Sequence, residues 1–293
     1  MSPAPAPRPQ APRATGKARR IGAKALRHAT LLAFLAVAGY PLVWMAFSAV
    51  RAEGEVLSRP FGLPSPPTLD NFRKVLSTGG FGRAYFNSFV VATASVAAAT
   101  AFSAMAGYAF ARMRFRGRNA LFLVFLAGMM IPIHVTLIPL NRLMSPGRLG
   151  LKDTYLALIG PYVGFALPVS ILILRGAFES VPKDLEEAAR LDGCSAWGTF
   201  WLVALPLVRP ALATVVIFNA LTMWNEFAFA LTLMTDTSMH TLPLALWQFR
   251  SEFGMFIAQT CAALCIAVLP LLVVYCGAQR HIIKGLTAGA VKQ

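Results

Sequence analysis

Glu226 stands out among the residues able to do chemistry. It sits in Trp224-Asn225-Glu226-Phe227, deep within an otherwise uncharged stretch, 210–235. An ionised side chain in such a setting is costly unless paired or wetted, so a functional role is its default reading. A carboxylate and an amide beside an indole can line a polar path for a hydroxyl-rich solute. The same carboxylate can equally make a structural hydrogen bond to a neighbouring helix or a partner subunit. His134, between Pro132 and Pro139, is isolated from His28, His240 and His281, and no pair has metal-ligand spacing. Glu226 and His134 are too sparse for the clustered nucleophile, base or metal ligands of a membrane-embedded enzyme. Cys194, Cys261, Cys265 and Cys276 form no C-x-x-C pair, and Cys261 and Cys265, on one helix face, read as packing. No G-x-x-x-x-G-K-[ST] occurs. The cluster Gly79-Gly80-Phe81-Gly82 lacks the Lys-Ser/Thr, so this chain does not bind ATP by a P-loop.

The elements that must position these residues are membrane spans. Of 293 residues, 57% are hydrophobic and 13% charged, and the mean hydropathy is +0.61; soluble proteins carry about 25% charged residues. Six stretches, 29–50, 84–111, 119–141, 154–174, 210–235 and 253–279, contain only Glu226 of the 39 Lys, Arg, Asp and Glu residues. Each is long enough to cross the hydrocarbon core, which takes about 20 apolar residues. The expected fold is all-α and polytopic, with six transmembrane helices. A soluble enzyme, a secreted disulfide scaffold and a disordered chain are excluded.

Net charge is +15, and its distribution follows the positive-inside rule rather than a nucleic-acid footprint. Lys and Arg number 18 in the two tails and the segments 112–118 and 175–209, against 9 in the alternate segments. Both termini are therefore expected in the cytoplasm. The basic loops lack the aromatic platforms of single-strand readers. Residues 1–28 form a basic cytoplasmic tail, whose first 20 residues, rich in Pro and Ala, should be disordered against anionic headgroups. Residues 29–83 hold the first helix, too long for a signal-peptide core, and an extended outer loop ending in a short interfacial helix. Residues 84–279 form the main membrane domain and 280–293 a cytoplasmic tail. In the second span Ser95, Ala99, Ser103, Gly107 and Ala111 make a strip of small side chains that lets another helix approach closely. Pro132, Pro139, Pro168 and Pro270 should kink their spans.

The segment 179–210 is too long for a turn and too polar to cross the membrane. Pro182 in a first turn, then Asp184, Glu186 and Glu187 near the positive helix end, define a short helix. Glu186 and Arg190 have i,i+4 spacing in the favourable order, and Gly193 is placed for a left-handed stop. Leu185, Ala188 and Ala189 fall on one small apolar face. An amphipathic helix on headgroups is one reading, but its acidic polar side would be repelled by anionic lipid. A groove on a protein partner fits better.

Glu187-Ala188-Ala189, three residues, Gly193, nine residues, Val203, Ala204, Leu205, Pro206 resembles the EAA loop of binding-protein-dependent ABC importer permeases, E-A-A-x3-G-x9-I-x-L-P, with Val203 for Ile. Asn87-Ser88, Ile131-Pro132, Ile138-Pro139, Leu167-Pro168, Trp224-Asn225-Glu226-Phe227, Thr241-Leu242-Pro243 and the 285–292 segment resemble the carbohydrate branch, in particular the maltose-permease G-subunit kind. The resemblance spans roughly 29–293 and implies a type I ABC importer permease fold with the coupling loop at 179–209. It implies a multi-pass subunit in the inner (plasma) membrane of a prokaryote. Its partners would be a second permease subunit, two ABC ATPase subunits, an extracytoplasmic solute-binding protein and lipid, without nucleic acid.

The chain itself would hold no cofactor; ATP and Mg would sit on the ATPases. By this resemblance Leu185, Glu186, Glu187, Ala188, Ala189, Leu191, Asp192, Gly193, Leu205 and Pro206 belong to ATPase coupling. Trp224, Asn225 and Glu226 belong to the substrate path, and Gly289, Val291 and Lys292 to a C-terminal ATPase contact. The alternative is a self-contained secondary transporter or channel. Such proteins carry inverted repeats or several intramembrane ionisable groups, and this chain carries neither. No span contains Lys or Arg, which favours an uncharged sugar over a phosphate ester.

Overall fold

A computed structural model describes residues 14–252 and 256–290, with side chains over 22–247 and 256–277. The chain opens with a long helix, α1 (Ala14–Ala49), followed by α2 (Glu53–Ser58) and α3 (Asp70–Ser77). A second long helix, α4 (Phe81–Arg112), precedes α5 (Arg118–Gly128) and α6 (Ile133–Met144). Then come the long α7 (Tyr155–Glu179) and the short α8 (Lys183–Leu191). A curved stretch follows: α9 (Ala196–Gly198), a π-helical segment (Thr199–Ala204) and α10 (Leu205–Leu207). The rest is α11 (Arg209–Trp224), α12 (Ala228–Leu233), a 3-10 turn (Thr237–Met239), α13 (Leu242–Glu252) and α14 (Ile257–Ala290). Among the described residues there is no strand.

Four helical stretches are long and apolar enough to cross a membrane: Gly22–Ala49, Phe81–Arg112, Tyr155–Glu179 and Ile257–Gly277. Two bent pairs, Arg118–Gly128 with Ile133–Met144 (96°) and Ala196–Leu207 with Arg209–Trp224 (77°), bring the number to six if each pair is one span. The third stretch, expected as one helix over 119–141, is thus two. Pro132 stands before α6 with extended backbone, φ −64° and ψ 131°, and a proline also disfavours helical geometry in the residue before it. The fifth, expected unbroken over 210–235, ends at Trp224 and resumes at Ala228. Pro210 has no N–H to offer the Pro206 carbonyl, which fits the bend between α10 and α11.

Helix also extends beyond the expected bounds at both ends of the chain. Ala14–Arg20 continues α1 into the tail expected to be disordered, because Ala, Lys and Arg are strong helix formers and extend an existing helix cheaply. Likewise α14 runs past 279 to Ala290. Large apolar side chains such as Leu31, Phe34, Leu123 and Val273 stand uncovered on the outer surface, the expected arrangement where lipid is the solvent.

The centre of the bundle is the pairing of α4 with α7. Ser95, Ala99 and Ser103 are fully buried, and a Cβ added at Gly107 would lie 3.1 Å from both the Leu174 Cβ and the Arg175 backbone nitrogen. The strip of small residues is therefore where α7 comes closest. The Asn219 amide donates to the Ser170 hydroxyl (3.0 Å) and ties α11 to α7.

At the N-terminal end of α4, Asn87 donates to the carbonyls of Ser238 and His240, and Tyr155 OH donates to Asn87 Oδ1 at 2.8 Å. Ser88 Oγ accepts from the Leu242 N–H. Residues 51–71, expected as extended, are folded around Arg51, which is 1% exposed and donates to the Glu55 and Arg59 carbonyls. Asn71 in turn donates to the carbonyls of Ala49 and Arg51. A buried guanidinium needs several acceptors, and backbone carbonyls from a loop meet that need without being evident in the sequence.

Asp153, at φ 60°, accepts from the Thr235 hydroxyl (2.6 Å) and the N–H groups of Thr235 and Asp236. Partial burial opposes its ionisation, but these hydrogen bonds outweigh it and hold the carboxyl below its ordinary pKa. A depressed folded-state pKa contributes stability at neutral pH that is lost as pH falls through the carboxylate range. Wild-type protein should therefore lose more unfolding temperature between pH 6 and about pH 4 than Asp153→Asn does, which thermal unfolding in detergent measures.

Candidate functional site: an uncovered short helix and a broken span

α8 begins after Pro182, whose ring sits at the N-cap, and its first turn carries Asp184 and Glu186. Its end is a Schellman closure. Cys194 N–H donates to the Ala189 carbonyl (2.9 Å) and Gly193 N–H to the Arg190 carbonyl (3.1 Å), with Gly193 at φ +88°. Gly193 thus occupies the left-handed position expected of it.

The faces of α8 differ from the expected division. Leu185 and Leu191 are 46% and 89% exposed, and Glu187, Ala188, Asp192 and Gly193 are exposed with them. Ala189 turns inward and is buried, so the outer apolar face is Leu185, Ala188 and Leu191. Glu186 also turns inward, 5% exposed, and is not paired with Arg190 as its spacing suggests. Its Oε1 lies 2.7 Å from Arg112 Nε at the end of α4, an ionic contact rather than an aligned hydrogen bond, and its Oε2 accepts from Tyr108 OH at 3.1 Å. A partner in a dry site outcompetes a solvent-screened helical pair. Arg112 donates further to the Val181 carbonyl. Leu205 packs into the apolar cluster that includes Tyr108, Phe178 and Phe200, and Pro206 is half-buried. Neither belongs to the uncovered face of α8.

At the break between α11 and α12, Trp224 is turned into the core. It is 6% exposed, donates to the Ala267 carbonyl (3.1 Å) and meets Tyr85 edge-on at 5.5 Å. Its indole also borders an apolar cavity of about 620 Å³ that Ala92, Val96 and Leu212 line with it. Asn225 is exposed, with its amide donating to the Leu221 carbonyl. Glu226 accepts from the Phe229 and Ala230 N–H groups (2.8 and 3.3 Å), the free donors at the start of α12, and from Tyr162 OH of α7 (2.7 Å). These three donors satisfy the half-buried carboxyl group. Glu226 also lines a cavity of about 210 Å³ with Tyr162, Asn219, Thr222 and Phe229. His134 is exposed on the first turn of α6. Gly289 lies in α14 where side chains are not described, and Val291 and Lys292 lie outside the described residues.

Removing the Glu226 carboxylate leaves two backbone donors and a phenol without their acceptor. Glu226→Ala should therefore destabilise the protein by about 2 kcal/mol or more, and Glu226→Gln, which keeps one acceptor oxygen, by about half as much. Unfolding midpoints in detergent check this. A variant of wild-type stability with altered uptake would instead mark a residue that meets solute.

Residues 74–287 match the family described as binding-protein-dependent transport system inner membrane component. The chain belongs to this family. It is a membrane-embedded permease subunit of an ABC importer, a transport component and not an enzyme. This permease is 43% identical over 257 residues to the putative ABC transporter permease protein ORF2 of Caldicellulosiruptor sp. (strain Rt8B.4), covering 87% of this chain and 92% of that one. It is 33% identical over 270 residues to the diacetylchitobiose uptake system permease protein NgcG of Streptomyces coelicolor, covering 92% and 89%. Its fold superposes on a bacterial ABC transporter involved in the import of the acidic polysaccharide alginate with a TM-score of 0.80 and 24% identity, covering 94% of this permease and all of that chain.

Proposed function

We propose that this permease forms half of a path for a saccharide and is opened by ATPase subunits seated on the uncovered face of α8. One observation carries the reading: Leu185, Ala188 and Leu191 are left bare on a helix whose other face is bolted to the bundle by Glu186. A contiguous apolar face on an otherwise charged loop is the usual mark of a surface that another protein covers. With no P-loop in the sequence, the energy must come from another chain that binds ATP and Mg. An extracytoplasmic binding protein delivers solute, and a second permease completes the path.

The side of α8 is cytoplasmic on this reading. Arg112 brings α8 to the end of α4 that carries the Arg112–Arg118 basic turn, and basic turns mark the cytoplasmic side. The spans belong to the inner membrane with both termini inside. Support for a saccharide comes from relatives such as the diacetylchitobiose permease and from the absence of Lys and Arg within the expected spans. The test is reconstitution of the permease pair with its ATPase in liposomes, with binding protein outside and ATP inside. Oligosaccharide uptake that requires internal ATP is expected; uptake by this chain alone, driven by an ion gradient, contradicts the reading.

A further inference from the structure

We propose that Arg112 and Glu186 are a positioning pair that makes α8 and the end of α4 one rigid lever, fixing how much solute moves per ATP hydrolysed. The inference rests on α8 being the docking helix. It assigns to Glu186 not contact with a partner but the transmission of that contact into the bundle.

Glu186 is held from α4 at two points. Arg112 Nε approaches one carboxylate oxygen at 2.7 Å and Tyr108 OH donates to the other at 3.1 Å. Both members of the ion pair have side chains only 6% exposed. Arg112 also donates to the carbonyl of Val181, in the connection between α7 and α8. Tyr108 meets Phe178 of α7 edge-on at 5.4 Å and Phe200 of the π-helical segment at 5.1 Å. The end of α4, the end of α7, α8 and the segment after it therefore converge on one carboxylate. Immediately before Tyr108, Gly107 places the α4 backbone directly against Leu174 and Arg175 of α7.

Stability alone does not explain an ion pair here. Desolvating two charges is expensive, and well-packed apolar residues of similar volume often stabilise as well or better. What a two-point charged contact adds is direction: α8 cannot slide or roll beneath α4 without parting opposite charges in a dry site, where separation is penalised most. An apolar contact would let the same force be absorbed by slippage, because packing has little orientational preference.

The experiment uses the reconstituted importer, with partner permease, ATPases and solute-loaded binding protein, and reads solute imported per ATP hydrolysed. The variants are Glu186→Gln, which keeps an acceptor for Tyr108, and the double variant Arg112→Met with Glu186→Met, which removes both charges but keeps the volume. Both are expected to keep the ATPase in the purified complex and to hydrolyse ATP, while solute per ATP falls about tenfold, a typical coupling free energy. The loss should persist in the double variant at wild-type unfolding temperature, where a purely structural role predicts recovery. An unchanged ratio in either variant overturns the proposal. So does loss of the ATPase from the Glu186→Gln complex, which would make Glu186 part of the docking surface itself. Failure of the docking reading looks different: the wild-type complex would import without ATP.

Discussion

Gly107→Leu is expected to lower the stability and yield of the permease sharply, with Gly107→Ala falling between it and wild type. The Cβ alone would stand 3.1 Å from the Leu174 Cβ and the Arg175 backbone nitrogen, so a methyl needs a shift of a few tenths of an ångström. A leucine needs α7 to withdraw. Overpacking a close helix contact costs about 3 kcal/mol, a large share of the stability of most domains. The small strip of α4 shares its length with this contact, so the displacement would open the whole α4–α7 pairing. Gly160, with no heavy atom within 4 Å of an added Cβ, is the control at which alanine should be tolerated. Yield of monodisperse protein and unfolding temperature in detergent report both outcomes.

Gly193→Val should leave the bundle folded and weaken transport. A side chain at Gly193 meets nothing within 4 Å, but its φ of +88° disfavours any L-residue, by about 1–2 kcal/mol and more for a β-branched one. The cheapest escape is to open the Schellman closure, which frees the Ala189 and Arg190 carbonyls and unwinds the turn carrying Leu191. About 1.4 kcal/mol is a tenfold change in the ratio of closed to open ends, and uptake should fall with the closed fraction. Solute-stimulated ATP hydrolysis should fall with it. Gly193→Asn, which accepts the left-handed region more readily, should retain most of the activity. Measuring the three proteins side by side separates a backbone requirement from a requirement for a missing side chain.

Much of this was legible in the sequence, and for identifiable reasons. The long apolar stretches announced the membrane, and Gly193 followed an acidic, proline-led segment as a helix stop should. The small strip on α4 was readable because four-residue spacing has one geometric meaning in a helix. What the sequence hid was tertiary partnership. Glu186 has an obvious local partner in Arg190, and only the fold reveals that Arg112, 74 residues earlier, takes it instead. Arg112 itself read as one more basic residue of a cytoplasmic turn. Trp224 and Glu226 are neighbours in sequence, yet the helix ends between them, so one faces the core and the other caps the next helix. Arg51 gave no signal at all, since backbone carbonyls from a folded loop have no sequence signature.

The central claim is that the bare face of α8 receives a nucleotide-hydrolysing subunit. A photo-crosslinking residue placed at Ala188, with Leu123 on the uncovered outer surface as its control, tests it in membranes holding the assembled importer. An adduct between this chain and the ATPase, formed from position 188 and not from 123, is the predicted result. Adducts from 188 with lipid alone, or its labelling by an impermeant reagent applied from outside the cell, would contradict the account.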